Sequence, residues 1–339
     1  MWRGGRGWPL FRAGSGKFSL LRLDHTRRKP SLASMSLADA APEDVLSFAI
    51  RSLAEGPCAL GVVAETVGGG VRAPGALFAV RGDGAMAGYV SNGCVDADIA
   101  EQALGALAEE APRRLRYGEG SPFTDVRLPC GGAVEVLIAP HPCREELEAA
   151  LSALHSRSPV GLHFPPDGTV AHARAGAAEN GFAAQLLPRL RLRVVGRGAE
   201  PVALMRVARA AGFALSCWSP DEDVLAEAGR LGAEERHALL TPQRLPEEAD
   251  DPRTAVVLLF HDHDWEPPVL AQALAGRAFY IGALGSRRAQ AARRQALEEM
   301  GVEEAMIGRL HGPIGLVPSL RDAPAVAVSI LAEIIAAAR

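Results

Sequence analysis

Cysteine is scarce in this chain: five residues, at positions 58, 94, 130, 143 and 217, are spread over 339 with no CxxC spacing. That argues against a disulfide framework or a zinc ribbon and points to a reducing, cytoplasmic compartment. Long apolar runs are missing as well. None approaches the roughly 20 residues that a membrane span needs, so no membrane span is expected. No internal repeat is present. Net charge is small, −4, but unevenly placed. Residues 1–34 carry eight Arg or Lys against the single acid Asp24, which leaves −11 for the rest. A basic arm can serve nucleic acid, an anionic surface or organelle targeting. This one has neither a long apolar stretch nor an amphipathic period. We read residues 1–36 as a disordered basic extension, with Met35 as a natural start and no nucleic-acid partner.

What remains has the length of about two domains and an ordinary globular composition, 48% hydrophobic and 22% charged. Pro42-Glu43-Asp44-Val45 opens a helix to about Leu53, with acids where the helix dipole favours them. Strand-like runs follow at 58–66, 76–80 and 85–90, the last two joined by the Arg81-Gly82-Asp83-Gly84 turn, a hairpin signal. A helix after Cys94, a strand at 113–117 and a strand pair at 125–128 and 133–138 complete an α+β unit spanning residues 37–142. Residues 143–189 read as a connecting segment, with a helix near 144–154 and a hairpin-like stretch at 160–172. From residue 190 to 339 strands and helices alternate, and Thr254–Phe260 is a continuous apolar run of the kind a doubly covered parallel strand shows. This implies an α/β chain whose C-terminal domain is a Rossmann-like, doubly wound parallel sheet.

Two cysteines stand in matching glycine settings: Ser91-Asn92-Gly93-Cys94 and Pro129-Cys130-Gly131-Gly132. Glycine lets backbone approach a ligand closely. Cys94 precedes a helix, whose positive end lowers a thiol pKa and favours the thiolate, a soft metal ligand or sulfur carrier. Both could equally be small buried hydrophobes. In the C-terminal domain, Gly196-Arg197-Gly198-Ala199 follows a strand and opens a helix, the context in which a glycine loop receives a diphosphate. The next strand ends at Ser219 where a dinucleotide fold wants an acid; Asp221 and Asp223 come slightly later. His261, just past the strand 254–260, could act as an acid/base group or ligand. Gly285, Ser286, Arg287 and Arg288 open another helix and make a second oxyanion cradle.

Taken in order, these blocks resemble the XdhC/CoxI family of xanthine dehydrogenase accessory proteins. The resemblance covers about residues 42–338. It is carried by Val62–Thr66, Arg72–Ala76, Gly88–Val95 and Leu128–Gly132 in the first half. In the second half it is carried by Phe279–Arg288, with its Gly-Ala-Leu-Gly-Ser-Arg-Arg run, and by His311–Leu316 and Ser329–Ile334. It implies an N-terminal XdhC/CoxI domain followed by a Rossmann-like domain. The function it implies is that of a chaperone that binds the molybdenum cofactor, in its molybdopterin form. Such a chaperone supports sulfuration with a cysteine desulfurase and delivers the cofactor to a molybdenum hydroxylase such as xanthine dehydrogenase. That is an accessory role rather than enzyme catalysis, and a homodimer is expected. Carried over residue by residue, Cys94 and Cys130 match the cofactor-associated cysteines and are candidate molybdenum ligands, with Gly93, Gly131 and Gly132 beside them. Gly196, Gly198, His261 and Gly285–Arg288 fall in the Rossmann-like part. The chain departs from the family at Arg197-Gly198-Ala199, where Gly-His is common, and at Ser219, where many members have Asp. Two other readings stay open: an NAD(P)-dependent oxidoreductase with His261 or His311 as proton donor, and a module that bridges desulfurase and hydroxylase without holding cofactor.

Overall fold

The computed structural model describes residues 35–36, 41–69, 72–121, 131–173, 181–242, 245–246, 250–260 and 264–338. These fall into two compact units that divide between Pro188 and Arg189. In the first, a short strand β1 (Met35–Ser36) precedes α1 (Pro42–Glu55). Proline at the start of α1 costs no hydrogen bond, and Glu43 and Asp44 face its positive end. Strands β2 (Cys58–Val67), β3 (Leu77–Arg81) and β4 (Met86–Ala87) follow, then α2 (Asp96–Glu109), β5 (Arg113–Gly118) and β6 (Ala133–Ala139). They form one sheet in the order β1-β4-β3-β2-β6-β5, antiparallel except for the β1–β4 pair.

Alternation along the strands sets the two faces. Cys58, Leu60, Val62, Leu77 and Ala79 pack with Val45, Leu46 and Ala49 of α1. Ala59, Val63, Phe78 and Val80 point the other way and pack with Ile99, Ala100 and Ala103 of α2. The Arg81–Gly84 hairpin forms as expected, with Arg81 N donating to Ala85 O at 2.8 Å. The strand expected over 85–90 is shorter, Met86–Ala87, because the amides of Val90 and Ser91 turn inward to a buried carboxylate. The strand expected at 125–128 lies outside the described residues. Beyond β7 (His141–Pro142), α3 (Arg144–His155), β8 (Val160–Phe164), β9 (Thr169–His172) and β10 (Phe182–Leu186) build a second sheet, ordered β10-β8-β9-β7, with α3 beside it. Leu147, Ala150, Leu162, Phe164 and Leu186 join the apolar cluster beneath α1.

The second unit alternates as its sequence indicates. It comprises β11 (Arg191–Gly196), α4 (Ala199–Ala210), β12 (Ala214–Ser219), α5 (Glu222–Arg230), β13 (Glu235–Ala238) and β14 (Thr254–Leu259). These continue into α6 (Glu266–Ala275), β15 (Tyr280–Ala283), α7 (Arg287–Glu299), α8 (Glu304–Ile307), β16 (Leu310–His311) and α9 (Ala323–Ala337). All strand pairs are parallel, in the order β13-β12-β11-β14-β15-β16. That is the strand order of a full Rossmann sheet, with its topological switch between β11 and β14. Strands β11, β12 and β14 are buried along their whole length, as a sheet covered on both faces requires. Among the described residues no helix is long and apolar enough to cross a membrane.

Candidate functional site

Register alone gathers the first unit's signature segments at one edge of its sheet. Val67, at the end of β2, pairs with Ala133, at the start of β6. Ala133 also pairs with Gly118, at the end of β5. Leu77, at the start of β3, pairs with Val62, and Ala87, at the end of β4, pairs with Ala79. The chain therefore leaves this edge after Val67, Ala87 and Gly118 and re-enters it at Leu77 and Ala133. Gly132 enters β6 so close to its neighbours that a Cβ there would run into the Val67 carbonyl.

The Cys94 loop is built around Asp96, whose side chain is fully buried. Its Oδ1 accepts from Val90 N at 2.6 Å and Ser91 N at 3.3 Å; its Oδ2 accepts from Ser91 Oγ at 2.8 Å and Gly93 N at 2.5 Å. Ser91 Oγ in turn accepts from Val95 N at 2.8 Å. Wrapping backbone around one carboxylate takes Asn92 and Gly93 into the left-handed region, at φ 59° and 104°. The wrap turns Cys94 out to solvent, immediately before the residue that caps α2. One turn further on, Asp98 accepts from Tyr117 Oη at 2.6 Å, tying α2 to β5. Burial and that carboxylate push the Tyr117 hydroxyl pKa up, so it stays a donor. Among the described residues, side chains imagined on Gly93 or Gly131, both at positive φ, would meet nothing within 4 Å. Cys130 itself lies outside the described residues.

The cysteines sort by environment. Cys58 and Cys217 are buried, and burial pushes each thiol up to about 12. Cys94 and Cys143 are exposed. Among the described residues, no group of three or more His, Cys, Asp or Glu side chains could hold a metal ion.

In the second unit, Gly196 is pressed so close to β14 that a Cβ would strike the Leu259 carbonyl. Gly198 N, the amide that would face a diphosphate, already donates to Asp221 Oδ2 at 3.2 Å. Arg197 Nη2 donates to Asp221 Oδ1 at 2.9 Å. Asp221 is itself oriented by donating its amide to Ser219 Oγ at 3.0 Å. Ser286 caps α7 by accepting from Ala289 N at 3.1 Å, while Arg287 and Arg288 are exposed in its first turn. The loop holding Gly285 rests on a group that sequence reasoning missed. Arg293, 2% exposed, donates through Nε and Nη2 to the fully buried Glu266, both at 2.7 Å, and also to the Leu284 carbonyl. His311 stacks on Tyr280, 4.5 Å between ring centroids, beside Glu333, which accepts from Tyr280 Oη at 2.8 Å and Gly315 N at 2.5 Å. His261 lies outside the described residues. Two predicted sets are thus each brought to a sheet edge: Gly93, Cys94, Gly131 and Gly132 in the first unit, and Gly196, Gly198 and Gly285–Arg288 in the second. Asp96 was missed although its signal is local, an acid five residues after Ser91 and directly behind Gly93-Cys94-Val95.

Comparison with known proteins agrees with this division. A model described as the XdhC and CoxI family matches residues 52–118, and one described as the XdhC Rossmann domain matches residues 192–334. The molybdenum cofactor insertion chaperone PaoD of Escherichia coli is 36% identical over 296 residues, covering 86% of this chain and 86% of PaoD. The uncharacterized protein YqeB of Escherichia coli is 26% identical over 272 residues, 77% of this chain but 40% of YqeB. A crystal structure described as a xanthine dehydrogenase from Bacillus halodurans superposes with a TM-score of 0.73 at 20% identity. It covers 88% of this chain and 95% of that one, and so shares the fold.

Proposed function

The chain belongs to the XdhC and CoxI family, and from that premise we propose that it is a molybdenum cofactor insertion chaperone, with the cofactor as cargo. The observation that carries the reading is the exposed Cys94, presented by a loop wrapped on Asp96 at the sheet edge where Gly131 and Gly132 also arrive. The residues fit that cargo. A thiolate is a soft ligand suited to molybdenum or to a sulfur atom in transit, and among the described residues nothing stands within 4 Å of a side chain imagined at Gly93 or Gly131, glycines that let a ligand approach backbone closely. We take Cys130, matched to the same family feature, as the second thiol of the site.

The finer reading adds to that site what the resemblance to the family and the scarcity of cysteine imply, with the homodimer as the commonest assembly. The cofactor is carried in its molybdopterin form, sulfurated with the help of a cysteine desulfurase and passed to a molybdenum hydroxylase of the xanthine dehydrogenase type, in the cytoplasm and from a homodimer. The oxidoreductase alternative is the weaker one. It leaves Cys94 without a role and needs a diphosphate at the Gly198 amide, which Asp221 occupies. The test is pterin content. The chain is purified anaerobically from a cofactor-producing host and any bound pterin is released by acid-iodine oxidation and read by its fluorescence. A near-stoichiometric signal that drops in Cys94→Ala supports the reading; absence of pterin, even after cofactor is added to the purified protein, overturns it.

A further inference from the structure

Helix α9 is built inside out. A helix on the surface of a globular unit turns its apolar stripe to the core and its polar side chains to water. Of the fifteen residues of α9, only Ser329 and Glu333 have polar side chains, and both are turned inward. Ser329 is buried and its Oγ accepts from Val317 N at 2.8 Å, while Glu333 accepts from Tyr280 Oη and Gly315 N. The outward face is left to Pro324, Val328 and Ile335, an exposed stripe at helical spacing. The turn before the helix extends this face. Leu316 N donates to Ser329 O at 3.3 Å, which together with the Val317 bond lays Leu316 and Val317 beside Val328. Leu316 is 60% exposed, Val317 54%, Val328 57% and Ile335 40%. Four of the nine large apolar side chains exposed among the described residues thus share one face.

A contiguous apolar face of this kind marks a surface that another protein covers. Its chemistry says which. A transient delivery partner is met through a surface about as polar as the rest of a protein, whereas homodimer interfaces are more apolar. A face without charge also opposes no like charges when it meets its own copy. A two-fold axis laid across α9 sets the two helices antiparallel, so the electropositive start of each, with the exposed Arg321 beside it, meets the electronegative end of the other. Asp322 is already turned to the Ala325 amide as the helix cap. Two such faces, each about 20 Å along the helix and as wide again with the turn 313–318, bury on the order of 1,000 Å² between them, the lower limit for a specific contact, and hold a dimer in the micromolar range. We propose that α9 and the turn 313–318 form the interface of a homodimer, with the two α9 helices antiparallel. This rests on the homodimer in the proposed function and names its surface.

The test is sedimentation velocity of the full chain at about 1 to 100 μM, a range that brackets a micromolar affinity. Wild type should pass from monomer to dimer across it. Val328→Asp and Leu316→Asp each put an unpaired charge into the interface and should weaken association about 10- to 100-fold. Arg321→Glu sets an anion against the partner's electronegative helix end and should weaken it about threefold. Met300→Asp, at an exposed methionine that ends α7, should leave association unchanged. A dimer that persists undiminished in both Val328→Asp and Leu316→Asp overturns the proposal and leaves the homodimer standing. A wild type that stays monomeric throughout overturns the homodimer and this proposal with it. If Val328→Asp does not fold by circular dichroism, Leu316→Asp, which lies outside the helix, decides alone. Should the two variants instead keep the dimer and lose binding to a purified molybdenum hydroxylase, the face belongs to that partner and the proposal is overturned.

Discussion

Replacing Asp96 by Asn changes one atom and should dismantle the Cys94 loop. The carboxylate accepts from four donors: Val90 N, Ser91 N, Ser91 Oγ and Gly93 N. An amide keeps one oxygen and turns an NH2 group toward donors that need an acceptor. One or two hydrogen bonds to a charged group are lost and a backbone N–H is left facing another donor, for about 3 kcal/mol in all. For a unit of this size that corresponds to a fall in melting temperature of about 6–12 °C. Asp98→Asn is the internal control. It stands two residues along the same helix, is half-buried, and receives one hydrogen bond, from Tyr117 Oη, that an amide oxygen can still accept; about 1 kcal/mol or less is expected. Scanning calorimetry of the three full-length proteins measures both. Pterin content then tells whether the loop's geometry is what presents Cys94: Asp96→Asn should lose most of its cofactor and Asp98→Asn should keep it. If Asp96→Asn melts within about 2 °C of Asp98→Asn and carries as much pterin as wild type, the loop does not depend on its carboxylate and the argument is wrong.

Iodoacetamide at mildly alkaline pH should label Cys94 and Cys143 well ahead of Cys58 and Cys217, as read by peptide mass spectrometry, because burial pushes the latter two up to about 12. The same shift has a stability sign. Both thiols stay protonated in the folded chain, so their contribution is full below about 9, the ordinary thiol value, and is lost as pH climbs toward 12. A Cys58→Ala, Cys217→Ala double variant should therefore lose less stability than wild type over that range of a urea titration. Glu266→Gln leaves the buried Arg293 charge without its counter-ion and should cost about 3–5 kcal/mol by urea unfolding, whereas Glu266→Leu with Arg293→Met should recover much of it; equal losses in the two would contradict the ion-pair argument. Asp221→Ser frees the Gly198 amide and should raise the affinity for NADPH, read by quenching of Trp218, above a negligible wild-type level. A wild type that binds NADPH and loses it in Asp221→Ser would instead make Asp221 a nucleotide ligand.

Where sequence and structure agree, the information is local. Proline and acids at the start of α1, the Arg81–Gly84 turn and the glycine loop opening α4 are each specified within a few residues, and each is found. The continuous apolar run at Thr254–Leu259 marks a doubly covered strand, and it lies between β11 and β15 in the parallel sheet. Short elements escaped: β13, α8 and β16 span four residues or fewer, too few for a period to show. The strand over 85–90 misled because its apolar tail, Tyr89-Val90, belongs to a loop whose direction is set by Asp96.

The sequence by itself determined which chemistry is on offer: two thiols beside glycines, a parallel nucleotide-type sheet and a family to compare them with. Tertiary structure decided what that chemistry can reach. Strand register, a pairing between residues as distant as Val67 and Ala133, brought the cysteine loop and the second glycine pair to one edge. Folding turned Cys94 outward and buried Cys58 and Cys217, though all three are the same residue type. It also delivered Asp221 to the Gly198 amide across 23 residues and Glu266 to Arg293 across 27. Local rules of propensity and turn chemistry act over a few residues and can be read in order along the chain. A buried charge finds its partner only when the whole fold has excluded water from both, and no stretch of sequence contains that condition.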